Sequence, residues 1–334
     1  MNILLCVPMA DKQSGVYMHN TIIQMGHKTC PFDWRYELER GGPQRMNETL
    51  ISAYEQLKPD LTIVVKGLGI EPKTIKHMRG IHDAPIVGWI FDNTLGGKMV
   101  AECTPYIDLI REFDIFYTVD SDAVPELNKM GVKAKHLMQA CYPKLHCEQI
   151  LNDFQKNRYG ADIIFIGSLG SIHPNRERIL EDVYDEGFYF KTYGEVLYPE
   201  NKDPIWVKDT HTGIAVTNEL HSAVVNSSKI ILGCDGWPHR GHSWSLRLYK
   251  VLCAGGFYLT THTKGIEDYF TPGVHLETYN TKAELISKIN KYLNDDVARE
   301  KIAKAGQELV LKEHTLDKRI QQIINDTKPK DLNS

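Results

Sequence analysis

Two cations three residues apart, Arg247 and Lys250, sit in the segment SWSLRLYKVLCAGG, where the spacing predicts one face of a helix. Ser243 is positioned to cap that helix and Gly255-Gly256 to end it. The loop in front carries His239, Arg240 and His242. An apolar run at 230–232 precedes the loop, and a second run at 257–261 follows the glycines. The whole reads as a βαβ unit whose cation-bearing helix begins at a sheet edge. Helix N-termini in that position attract anions, so the chemistry on offer is the holding of negative charge. His239 and His242 lack an evident third ligand, so no metal site is expected.

The elements that must position these residues alternate along the whole chain. In the first half, strands are expected at 3–7, 28–32, 61–65, 85–91, 114–119 and 132–137. Helices are expected at 16–25, 46–57, 72–78, 106–112 and 123–130. Residues 139–159 are polar and irregular and read as a linker. The alternation restarts with strands at 162–166 and 188–193, helices at 175–185 and 218–226, and a long loop between them holding Pro199, Pro204 and Trp206. After 257–261 come a short strand near 275–278 and three helices, the last at 316–324, then a polar tail. The predicted class is α/β, two doubly wound Rossmann-like domains facing across a cleft. The expected divisions are an N-terminal domain at 1–140, a linker at 141–160, a C-terminal domain at 161–315, and a helix with tail at 316–334.

The 334 residues carry a formal charge of −4, with 42% hydrophobic and 25% charged residues. No global basic field draws such a chain to nucleic acid or to an anionic membrane. The opening MNILLCVPMADK reads as a strand rather than a signal peptide, and no apolar run nears the ~20 residues of a spanning helix. Seven cysteines, an odd number without a CxxC, fit reduced thiols in a cytoplasmic protein.

Six segments in order resemble one family. They are FIGSLGSIHPNRERIL at 165–180, SSKIILGC at 227–234, RLYKVLCAGGFYLTT at 247–261, GIEDYF at 265–270, AELISKINKYLNDD at 283–296 and EHTLDKRIQQII at 313–324. Together they resemble the glycosyltransferases related to the spore maturation protein CgeB, of GT-B architecture. In the first half, VGWIFDNT and FYTVDSDAVPELNKMGV add weaker support. The resemblance implies transfer of a sugar from a nucleotide sugar (a UDP-, GDP- or dTDP-sugar), with no cofactor and no metal. A sugar-nucleotide epimerase or hydrolase on the same fold, or a non-catalytic sugar-binding protein, are the alternatives. The acceptor is open: a protein, a polysaccharide, a small molecule or a modified DNA base. Lys58, Lys66, Lys73, Lys76 and Arg79 supply some positive charge in the first domain for the last of these.

Under the resemblance, the donor diphosphate falls to Arg247, Lys250, His239 and His242, with Arg240 beside them. The loop residues Gly167, Ser168 and Gly170 and the pair Gly255 and Gly256 would cradle it, and Arg176 is a more distant helper. Gly194, Glu195 and Glu267 would meet the nucleoside, and Trp237 or Trp244 could stack on a base or sugar. An inverting reaction would take its base from the first domain, Asp92 or else Asp11, with Gly15 allowing close approach. The chain departs from the family at Lys250, where relatives often carry the Glu credited with binding the donor ribose. A lysine accepts no hydroxyl proton. That shifts the expected emphasis from ribose to diphosphate.

Overall fold

The structure is a computed structural model that describes residues 1–10, 14–91, 104–170, 174–199, 202–234 and 239–328. The chain divides into two compact units. The first takes residues 1–139 and the return of the chain from Leu316, and the second runs from Ala140 to Thr315.

The first unit is built from β1 (Asn2–Cys6), α1 (Ser14–Gln24), β2 (Lys28–Phe32), α2 (Trp34–Leu57), β3 (Leu61–Val65), α3 (Pro72–Ile81), β4 (Ile86–Ile90), α4 (Thr104–Arg111), β5 (Ile115–Thr118), α5 (Ala123–Lys129) and β6 (Ala134–His136). Its six strands are all parallel in the order β2-β1-β3-β4-β5-β6. The strands LTIVV and IVGWI are buried along their whole length, as helices on both faces require. Helix α2 begins earlier than the periodicity predicts. Asp33 caps its start by accepting from the Arg35 and Tyr36 amides, and the backbone breaks at Gly42 (φ 71°) before Pro43. A break there hides two helical pieces from any single 3.6-residue pattern.

The second unit follows with α6 (Asp153–Tyr159), β7 (Ile163–Ile166), α7 (Pro174–Asp185), β8 (Phe190–Tyr193), α8 (Ile205–Thr210), α9 (Asn218–Asn226), β9 (Ile230–Gly233), α10 (Leu246–Cys253), β10 (Tyr258–Thr261), a 3-10 turn (Ile266–Asp268), β11 (Glu277–Tyr279), α11 (Lys282–Leu293) and α12 (Asp296–Glu313). Its strands are parallel in the order β11-β10-β9-β7-β8. The segment expected as a linker is counted with this unit. Its helix α6 starts with a reciprocal capping box between Asn152 and Gln155. The long loop after β8 also holds a helix, α8, begun by Pro204 and anchored by the buried Trp206.

The last helix, α13 (Leu316–Thr327), belongs to the first unit and packs on α1. It buries Ile320, Ile323 and Ile324, and its Asp326 accepts a 2.8 Å bond from the Tyr117 hydroxyl and pairs with Lys135 at 2.9 Å. Among the described residues, no helix is long and apolar enough to cross a membrane.

Candidate functional site

In the second sheet β7 has β8 on one side and β9 on the other. Chain leaving the carboxyl ends of β7 and β9 therefore diverges, and a crevice opens there. Three connections meet at that edge: the turn after β7, the segment after β8, and the loop that leads from β9 into α10.

The turn after β7 is stitched to the segment after β8. The Gly167 amide donates to Tyr193 O at 2.8 Å, the Leu169 amide to Glu195 O at 2.8 Å, and Leu197 N returns a bond to Leu169 O at 2.8 Å. The Gly170 amide is held by Glu177 Oε1 at 2.9 Å. Burial keeps the Glu177 carboxyl above its usual range. Two amides of the predicted phosphate cradle, those of Gly167 and Gly170, are thus already engaged within the protein. Gly167, Ser168 and Gly170 lie at the crevice, but as a brace between two strands more than as free donors. Arg176 closes the turn by donating to Ser168 O at 2.9 Å. Gly194 (φ 130°) is required here, because a Cβ on it would strike the Gly167 carbonyl. Glu195 follows it and is exposed.

Arg247 reaches this brace from α10. Ser245, not Ser243, caps the helix by accepting from the Arg247 amide at 3.2 Å. The Arg247 side chain is only 9% exposed. Its Nε donates to Ile166 O, its guanidinium carbon lies 4.5 Å from the Phe165 ring centre, and its Nη2 occupies the space a side chain at Gly167 would fill. Its Nη1 is buried without a hydrogen-bond partner. A guanidinium is always charged, and a buried N–H left unpaired is costly. The arrangement holds a donor ready at the end of β7, where an anion would satisfy it.

Lys250 lies one turn further along the same face of α10. Burial, reinforced by the charge of Arg247, lowers its pKa. Two histidines that the sequence did not single out are held down by burial and then by its charge. His146 lies in the stretch read as a linker. His221 lies on α9, where it passes for a core residue in ELHSAVV.

The loops on the far side of the crevice are clasped. His242 Nε2 lies 2.8 Å from Asp268, its amide donates to Lys264 O at 2.8 Å, and Gly265 leaves room for its ring. Glu267 is bonded to His262 at 2.6 Å, which holds its carboxyl below the usual range. Both predicted contacts, His242 and Glu267, are thus bonded to partners within the protein, Asp268 and His262. His239 lies in an exposed turn. Trp244 is 3% exposed and packs against His242, Tyr269 and Phe270, so it is a core residue and not a stacking platform.

One predicted pair is displaced. Gly255 and Gly256 close α10 through bonds to Leu252 O and Val251 O and lead into the amino end of β10. Because β10 runs parallel to β7, through β9, they lie at the opposite sheet edge from Gly167 and Arg247. They form a helix cap, Gly256 packed on Val225 and Val251 and Gly255 facing Gln307, away from the edge that carries Gly167 and Arg247. In the first unit, the Gly15 Cα faces Val7 and Pro8 so closely that any Cβ would clash. Asp11, Asp92 and Trp237 lie outside the described residues.

Set beside known structures, the two parallel-sheet units are those of the GT-B fold. HepE from Anabaena, solved with UDP and glucose, matches with a TM-score of 0.68 at 11% identity, covering 98% of this chain and 99% of that one. Sucrose-phosphate synthase from Thermosynechococcus elongatus matches at 0.69 and 9% identity, covering 98% of each chain. A glycosyltransferase from Rickettsia africae matches at 0.69 and 11% identity, covering 100% of this chain and 99% of the other. Residues 176–325 match the family described as glycosyl transferase-like. No curated protein sequence matches significantly. The second half of the chain thus carries a glycosyl transferase-like stretch, and the two units share the GT-B fold.

Proposed function

We propose that this protein transfers a sugar from a nucleotide-sugar donor and holds the donor's diphosphate at the carboxyl edge of the second sheet, with no resident cofactor or metal. The observation that carries this reading is Arg247, a nearly buried guanidinium with Nη1 unpaired at the switch point between β7 and β9. Phosphate oxygens match the geometry of a guanidinium, and a donor already fixed by Ile166 O and Phe165 needs little reorganisation as charge builds on the leaving diphosphate. The solved complexes of HepE with UDP and with UDP-glucose support the same ligand class. The CgeB-like grouping is part of this proposal, since the matched family is broader.

A thermal-shift screen tests it. UDP, GDP or dTDP should raise the melting temperature in the presence of EDTA. Arg247→Gln should weaken nucleoside diphosphate binding by about tenfold or more while sparing the nucleoside, because a charged hydrogen bond contributes ~1.5–3 kcal/mol. Stabilisation by none of the three nucleotides, or an equal loss for nucleoside and diphosphate, contradicts the proposal. Release of free sugar from a nucleotide sugar in water alone would favour hydrolysis over transfer.

A further inference from the structure

The amino edge of the second sheet, at the other end of the strands from Arg247, carries a cleft of about 760 Å³. All of its lining belongs to the second unit. One side is the chain from Glu148 to Leu151, another is the end of α9 with the turn at 227–229, and a third is α12. Gly255 and Gly256 complete it. These pieces are already tied together. The Gln149 amide donates to Asn226 Oδ1 at 2.8 Å, and the Gln149 side chain donates to Glu219 O at 2.9 Å. Asn226 Nδ2 donates to Ala254 O at 2.6 Å, and Gln307 Nε2 to Cys253 O at 3.2 Å. The cleft is thus formed without a ligand, and its size is that of a small-molecule site.

The charges along the cleft decide what it can hold. Four cations line it, Lys156, Lys229, Arg299 and Lys304, and two carboxylates, Glu148 and Glu300. Lys229 is neutralised by Asp162 at 2.8 Å and Arg299 by Asp296 at 2.7 Å. Among the described residues the other four make no ion pair. They are two of each sign, so no net field draws in an anion or a cation. What remains is hydrogen bonding in both senses. The two ammonium groups donate, the two carboxylates accept, and Gln307 keeps its Oε1 while its Nε2 holds Cys253 O. Glu300, Lys304 and Gln307 recur at helical spacing and form one stripe of α12 along the cleft. Among these polar groups Ile150 stands wholly exposed. Donors, acceptors and an aliphatic surface together, without net charge, match a ligand whose hydroxyls both give and take hydrogen bonds and whose ring presents a C–H face.

We propose that this cleft is a carbohydrate-binding site, separate from the donor crevice, that takes an uncharged sugar. It stands on its own lining and does not depend on the donor being a nucleotide sugar. Because the cleft and the crevice lie at opposite ends of the same strands, a sugar in the cleft is held and not transformed. The same chemistry has two sources, a free sugar or one stretch of a glycan chain. Chain length separates them, since the volume exceeds what one ring fills and a chain would gain contacts that a single ring leaves unmade.

The test follows the backbone amide resonances of the full chain by NMR during titration with glucose, galactose, mannose, N-acetylglucosamine, maltotetraose and chitotetraose. At least one of these sugars should shift the amides of Ser228, Gly255 and Gly256. Glu300→Ala and Lys304→Ala, both at exposed positions, should each weaken that sugar by about tenfold and leave the melting temperature unchanged. A tetrasaccharide bound about tenfold or more tightly than its own monosaccharide identifies a glycan chain as the occupant, and equal affinities identify a free sugar. If no sugar moves the three amides, or if the shifts are confined to Gly167 and Gly194 at the crevice, the site falls. It falls equally if both variants bind as the natural chain does. UDP or inorganic pyrophosphate moving the three amides as strongly as any sugar would overturn the assignment to an uncharged ligand.

Discussion

Arg247 and Gly194 show how closely single residues are coupled at the crevice. The guanidinium lies where Gly167 has no side chain, and the Gly167 carbonyl lies where Gly194 has none. A methyl group at 194 would meet backbone, which cannot swing aside as a side chain can. Gly194→Ala should therefore cost about 1–3 kcal/mol from the left-handed φ alone, and more from the clash. It should also blunt the nucleotide-induced thermal shift, because the turn after β7 must move away from β8. Paired melting curves with and without UDP would show both effects. A variant as stable and as responsive as the natural chain would mean that the brace does not position Arg247.

Single elements carry their own ties. Strand β11 buries Glu277, which accepts from Lys288 at 2.9 Å, from the Thr278 amide at 3.0 Å and from Tyr292 at 2.8 Å. Burial would raise this carboxyl, but those bonds outweigh it and hold it below the usual range. Since the folded value lies below the unfolded one, the stabilisation is complete above the unfolded value, about 4.3. It is lost as pH falls through the folded value. Glu277→Gln should cost ~1–3 kcal/mol near neutrality and flatten the acid limb of the stability curve, measured by urea unfolding at several pH values.

The same scale explains what could be read from the residues alone. Runs such as LTIVV and IIFI declare buried parallel strands, because they carry no charge and only one polar side chain, the β-branched Thr62. The crevice residue Arg247 was legible because a cation near a helix start after a strand has few structural uses. Helix α2 was half hidden by the break at Gly42-Pro43, and α6 by a polar sequence whose only signal is its capping box. Gly255-Gly256 misled because a helix cap and a ligand cradle share one composition, and only the strand direction tells which edge they occupy. His146 and His221 carried no signal at all. Their edge-to-face pairing joins segments 75 positions apart, a separation that periodicity does not reach.

At the scale of the molecule, the second unit is one uninterrupted stretch with a core of its own, including Phe165, Trp206, Leu232, Leu259 and Tyr292. Every contact described for Arg247, Lys250, His146 and His221 lies inside it. A fragment covering 140–315 should therefore fold alone and keep its response to nucleoside diphosphate. Circular dichroism followed by thermal shift would check it, and a folded fragment indifferent to every nucleotide that stabilises the whole chain would count against the assignment. The first unit has no such independence, because removing α13 uncovers the apolar surface that Ile320, Ile323 and Ile324 protect.

That return of the chain at α13 has a bearing on biosynthesis. A ribosome delivers the amino end first, and domains ordinarily mature in that order. Here the six strands of the first sheet emerge early but wait for Leu316–Thr327, whereas the second unit is complete once Thr315 has left the exit tunnel. The unit made last closes first. The unit made first waits with an uncovered flank until α13 emerges, and its Tyr117 hydroxyl meets Asp326 only then.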